Sequence, residues 1–142
     1  MGVAHFVALE RDIDGLDTFM NGKALAHAEF EDECEKTLTQ IALEIGVTPL
    51  TDFMSFDLDT ILGYMELTRE TATSGDLAMV GQEEWFDPAV GLASANALIP
   101  YLTEHPDALP NAEWVIGDLK EVIRILTAAQ QHSVRWHLQV DA

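Results

Sequence analysis

The sequence predicts an α+β domain, predominantly helical, whose N- and C-terminal strands pair antiparallel and are covered by four or five helices. Three observations carry that expectation. Apolar residues alternate at both ends of the chain, the apolar period becomes helical between them, and 142 residues are enough for one core spanning 1–142.

Residues 3 to 9 alternate: Val3, His5, Val7 and Leu9 point one way, Ala4, Phe6 and Ala8 the other. Both faces are largely apolar, which places this strand under helices. At the far end Val134, Trp136, Leu138 and Val140 share one face, with Arg135, His137, Gln139 and Asp141 turned to solvent opposite. Two strands separated only by helices pair most economically with each other, and a lone ribbon needs helical cover in water.

From about Gly22 to Ile45 a single helix is expected, with Phe30, Cys34, Leu38, Ile41 and Ile45 on one apolar stripe. Gly46 supplies its left-handed cap and Pro49 stops continuation. Residues 51 to 67 read as one or two short helices capped by Asp57 or Asp59. Residues 68 to 82 lack a period and read as the longest loop. Asp87-Pro88 is an N-cap followed by proline at the first helical position, opening a helix that Pro100 should kink or shorten and His105-Pro106 should end. The last helix, 111 to 131, turns Val115, Leu119, Val122, Leu126 and Ala129 inward and forms a hairpin with its predecessor.

Composition bounds the function. Twenty-five acidic and seven basic side chains give a net charge of −18, and the basic residues are scattered. Phosphate neutralisation needs clustered Lys and Arg, so neither nucleic acid nor an anionic membrane surface is an expected partner. A 48% hydrophobic share argues for a folded chain despite the charge. A single cysteine excludes an internal disulfide and a multi-cysteine zinc site. The first ten residues carry neither a basic n-region nor a long apolar run, and no stretch is long and apolar enough to span a bilayer. A cytoplasmic protein is the expectation.

Three short stretches resemble a group of small acidic bacterial proteins with no assigned activity. They are the helix end Gly46-Val47-Thr48-Pro49-Leu50, the helix start Trp85-Phe86-Asp87-Pro88, and the closing strand Val134-Arg135-Trp136-His137-Leu138. The resemblance implies a single α+β domain and carries no functional residue with it.

Histidine is the natural place to look for chemistry, because it titrates near neutrality and ligates metals. His5 and His137 sit on the two strands expected to pair, and His27 and Glu31 lie four apart on the long helix. His5, His27, Glu31 and His137 are therefore the candidate metal set of a small metal-dependent enzyme. No H-E-x-x-H motif accompanies them, and the plainer account makes His5 a core-edge residue and His137 a solvent-facing one. If Val3 and Trp136 face the same way, the period of two puts His5 and His137 on different faces. Cys34 lies on the apolar stripe among acids that raise a thiol's pKa, so it reads as a small buried hydrophobe. Trp114 also reads as structural, and Trp85 and Phe86 as core plugs beside the Asp87 cap. Glycine-rich phosphate loops and nucleophile elbows are absent from the sequence.

The remaining feature is the acidic run. Glu29, Glu31, Asp32, Glu33 and Glu35 carry like charges four apart, which costs a helix a few tenths of a kcal/mol per pair. A solvated face explains the run, and so does recognition of a basic protein, with fast and salt-sensitive association. Immunity proteins that neutralise basic nuclease toxins share this size and charge, an analogy of class and not of motif. The expected function is a non-enzymatic acidic binding module of inhibitor, immunity or adaptor type, acting on a basic partner through Glu29, Glu31, Asp32, Glu33 and Glu35. No cofactor is expected. The alternative is the metal-dependent enzyme.

Overall fold

β-branched, aromatic and alternating residues at both termini zip into a two-stranded antiparallel ribbon, β1 (Ala4–Leu9) against β2 (Trp136–Asp141). The computed structural model describes residues 3–29, 36–80 and 83–141. The register runs from Ala4 opposite Asp141 to Leu9 opposite Trp136. His5, Val7 and Leu9 therefore share a face with Val140, Leu138 and Trp136, while Phe6 and Ala8 share the other with Gln139 and His137. The outer edge of β2 is paired by two single bridges, Met54 to Leu138 and Phe86 to Trp136. That cover matters, because an open edge is a template for aggregation.

Six α-helices follow among the described residues: α1 (Lys23–His27), α2 (Leu38–Ile45), α3 (Leu58–Tyr64), α4 (Ser74–Val80), α5 (Pro88–Glu104) and α6 (Ala112–Gln131). A 3-10 turn spans Leu50–Phe53. The count exceeds the expected four or five for two local reasons. Thr37 is extended, with φ −83° and ψ 162°, so the expected helix over 22–45 does not run through it. Its hydroxyl accepts the Gln40 amide at 3.2 Å while the Gln40 side chain accepts the Thr37 amide at 2.9 Å, a reciprocal cap that starts α2 afresh. The stretch expected to be the longest loop holds α4 by the same device. The Thr73 amide donates to Asp76 Oδ2 at 2.9 Å and the Asp76 amide to Thr73 Oγ1 at 3.1 Å. Both signatures stand in the sequence, at Thr37-x-x-Gln40 and Thr73-x-x-Asp76.

The other helix starts follow their caps. Asp57 accepts the Thr60 amide at 2.7 Å and Asp87 the Ala89 amide at 2.9 Å, with Pro88 next in line. Gly46 closes α2 at φ +81°, as expected. α5 runs through Pro100 and ends at Glu104 with His105 as its C-cap, where His105-Pro106 was expected to end it. None of the described helices is long and apolar enough to cross a membrane.

Two compact units can be distinguished, Met1–Met54 with Trp85–Ala142, and Ser55–Glu84. In the first, the stripes of α5 (Leu98, Leu102) and α6 (Leu119, Ile125, Leu126) join Val7, Leu138 and Trp136 in one buried cluster. Trp136 is its hub. Its ring centroid lies 4.9 Å from that of Phe53, and its Nε1 donates to the Asp87 carbonyl at 3.3 Å. Phe53 meets Phe86 edge-on at 5.4 Å, so Phe86 does plug the core beside the Asp87 cap. In the second unit Leu62 is buried, Phe56 meets Tyr64 edge-on at 6.2 Å, and Arg69 pairs with Asp59 at 2.7 Å. The Glu84 amide donates to Ser55 Oγ at 2.8 Å, joining the ends of that unit.

Candidate functional site

The residues expected to hold a metal are spread over the fold. His5 lies on the ribbon face of Val7 and Val140, and His137 on the opposite face, as the two-residue period requires. His5 is only 7% exposed, and burial lowers its pKa from the ordinary 6.5 by penalising the imidazolium. His137 is 0% exposed, which corrects the expectation that it faces solvent. The Trp85 indole covers it, with ring centroids 4.6 Å apart, and its Nδ1 lies 3.2 Å from the Leu138 carbonyl oxygen. His27 sits in the last turn of α1, and Glu31 lies outside the described residues. Among the described residues no three His, Cys, Asp or Glu side chains come together as a metal would need.

Of the acidic run, Glu29 alone is described. It is half-buried, and its Oε2 accepts the Thr39 hydroxyl at 2.8 Å. Burial raises its pKa, with the Thr39 hydrogen bonds opposing. Glu31, Asp32, Glu33 and Glu35, and the expected buried position of Cys34, lie outside the described residues.

Within the first unit, exposed Phe19 and Trp114 mark the more distinctive surface. Phe19 is 77% exposed in the loop between β1 and α1, and Trp114, in the first turn of α6, is 66% exposed. The expectation that Trp114 is structural is thereby corrected. Its neighbour Val115 takes the inward position, and one residue along a helix turns the side chain by about 100°. That offset from the inward series was readable in the sequence. The Phe19 loop has no period and offered no comparable signal.

Arg124 on α6 holds the Phe19 loop in place. Its guanidinium donates to the Asp17 carbonyl at 2.6 Å and to the Phe19 carbonyl at 3.3 Å, while its Nε pairs with Glu121 at 2.6 Å. The Phe19 amide donates to Asp17 Oδ1 at 2.9 Å. Asp12, Asp14 and Asp17 are exposed and make no ion pair among the described residues. Glu10, by contrast, pairs with Arg135, which holds its carboxyl below the usual range.

Two clefts adjoin this surface and share Asn21 and Lys23 in their walls. One, of about 640 Å³, lies between β1 and the loop, lined by Phe6, Asp17 and Phe19 among others. The second, of about 400 Å³, is formed by Asn21, Lys23, Ala24, His27, Asn111 and Trp114. No protein-family model, curated protein or solved structure matches the chain.

Proposed function

We propose that the protein is a non-enzymatic acidic binding module of the inhibitor, immunity or adaptor type, and that its partner is a basic protein. The observation that supports this reading most directly is Phe19. A large apolar side chain left in water, on a loop tied down at two carbonyls by Arg124, is a pre-ordered anchor that loses little entropy on docking. Asp12, Asp14 and Asp17, exposed and without an ion pair among the described residues, precede it in the same loop, and the whole chain carries −18. An aromatic anchor with a charged rim is the usual build of a protein interface, and the sign of the rim selects Lys and Arg opposite. The 640 Å³ cleft beside Phe19 gives a partner's long side chain a place to enter. The run Glu29, Glu31, Asp32, Glu33 and Glu35 adds to the field that draws a cation-rich surface in.

The test compares the intact protein with two variants in capture from native lysate at low salt. Basic proteins held by the intact chain and released by raised salt should be lost with Phe19→Ser, a truncation expected to cost about 2 kcal/mol or more at an anchor. Neutralising Asp12, Asp14 and Asp17 to Asn should slow association and flatten its salt dependence. Equal capture by all three proteins overturns the reading.

A further inference from the structure

The cleft beside Trp114 differs in chemistry from the acidic surface around it. Asn21 Oδ1 accepts the Lys23 amide at 3.1 Å, which leaves the amide nitrogen of Asn21 and the second lone pair of its oxygen for a ligand. The Lys23 ammonium, the Asn111 side chain and the Trp114 indole N–H have no partner among the described residues. Asn111 stands at the N-cap of α6 yet makes no capping bond. The cleft is thus lined by an exposed indole and by the side chains of Asn21, Lys23 and Asn111, whose hydrogen-bond donors outnumber their acceptors. Its two walls are joined rigidly. The buried Asp118 carboxylate of α6 accepts the amides of Gly22, Ala24 and Leu25 at 3.1–3.3 Å, fixing the start of α1 on α6.

We propose that this cleft binds a neutral, β-1,4-linked pyranose chain. Donors in excess call for a ligand rich in oxygen lone pairs, and hydroxyl groups supply them while donating a hydrogen bond to the Asn111 side-chain carbonyl. A pyranose whose substituents are equatorial presents a flat C–H face, which stacks on one indole. An aromatic ligand would need enclosing apolar walls, and here the apolar lining is Trp114 and Ala24. An anion is disfavoured, because Glu113 next to Trp114 and Asp118 beneath α1 offset the single Lys23 charge, and the chain as a whole repels anions. The volume of about 400 Å³ falls within the range of ligand clefts, and its open form suits a chain that passes through.

The indole N–H resonances of the three tryptophans read this out directly. Cellohexaose, xylohexaose, mannohexaose and chitohexaose are titrated in turn, with oligogalacturonate as the anionic control. At least one neutral chain should shift the Trp114 resonance saturably and leave those of Trp85 and Trp136 in place. Trp114→Ala, at an exposed site, should abolish the accompanying shifts of the Lys23 and Asn111 backbone amides while the Trp136 resonance reports an intact core. Asn111→Ala should weaken binding about tenfold. Phe19→Ser, which removes the proposed protein anchor, should leave saccharide binding unchanged. The proposal is overturned if no neutral chain moves Trp114, if oligogalacturonate binds more tightly, or if the amide shifts survive Trp114→Ala.

Discussion

Asp118 and Gly22 lie 96 positions apart in the chain, and the Asp118 carboxylate accepts the Gly22 amide at 3.3 Å. Gly22 sits at φ +69° with the His5 carbonyl so close that a Cβ would come within 1.8 Å of its oxygen. One buried acid and one glycine thereby bring the start of α1 against both α6 and β1.

That role makes Asp118 a strong stability determinant. Asp118→Ala leaves three amides without their acceptor, two of them at buried bonds, and should cost about 3 kcal/mol or more. Urea denaturation measures the loss. Amide exchange should show α1 opening first, and a loss below about 1 kcal/mol would remove Asp118 from this role.

Two glycines in the long helices should respond oppositely to alanine. A Cβ at Gly91 would meet the Trp136 ring at 2.4 Å and Leu126 Cδ1 at 2.8 Å, both fully buried, so Gly91→Ala should destabilise by about 2–3 kcal/mol. Gly117 has nothing within 4 Å and lies on the exposed side of α6. Gly117→Ala should stabilise by about 0.5–1 kcal/mol through helix propensity. Thermal unfolding of the pair checks both signs.

Acidification should weaken the fold through His5. Its folded pKa lies below the ordinary 6.5, so the unfolded chain takes up the proton first. The His5 contribution is whole above pH 6.5 and is lost as pH falls through the lowered folded value, with a slope of at most about 1.4 kcal/mol per pH unit. Glu29 acts in the other direction. Its folded pKa is raised above 4.5, so its contribution is whole below that pH and is lost as pH rises through the folded value. Urea midpoints across this range should lose the His5 limb in His5→Gln and the Glu29 limb in Glu29→Gln. Unchanged curves in both variants would refute the assignment.

Thr37 is the cap on which α2 depends. Thr37→Ala should cost about 1 kcal/mol, and Thr37→Ser, which keeps the hydroxyl, only a fraction of that. The same comparison at exposed Thr73 should follow the same order for α4.

The local layer of this protein was legible in its residues. Alternation over 3–9 and 134–140 foretold β1 and β2, and the spacing Val115, Leu119, Val122, Leu126, Ala129 foretold the buried side of α6. The Asp87-Pro88 pair foretold where α5 begins. These features are set by nearest neighbours and by a period, and a period is carried by the sequence itself. The breaks in that pattern were present too, in Thr37-x-x-Gln40 and Thr73-x-x-Asp76, but a sustained apolar stripe and a run of small residues outweighed them. Other outcomes depended on what arrives from a distance. His137 alternates onto the polar side of its strand and is buried because Trp85, far away in sequence, lies over it. Trp114, expected to be structural, remains in water because Val115 already fills the inward position. Phe19 is held out by Arg124 across 105 residues. In α2 and α6 the sequence by itself determined which face turns inward; only the tertiary structure decided which side chains a neighbour would cover, because burial belongs to two surfaces and a sequence period describes one.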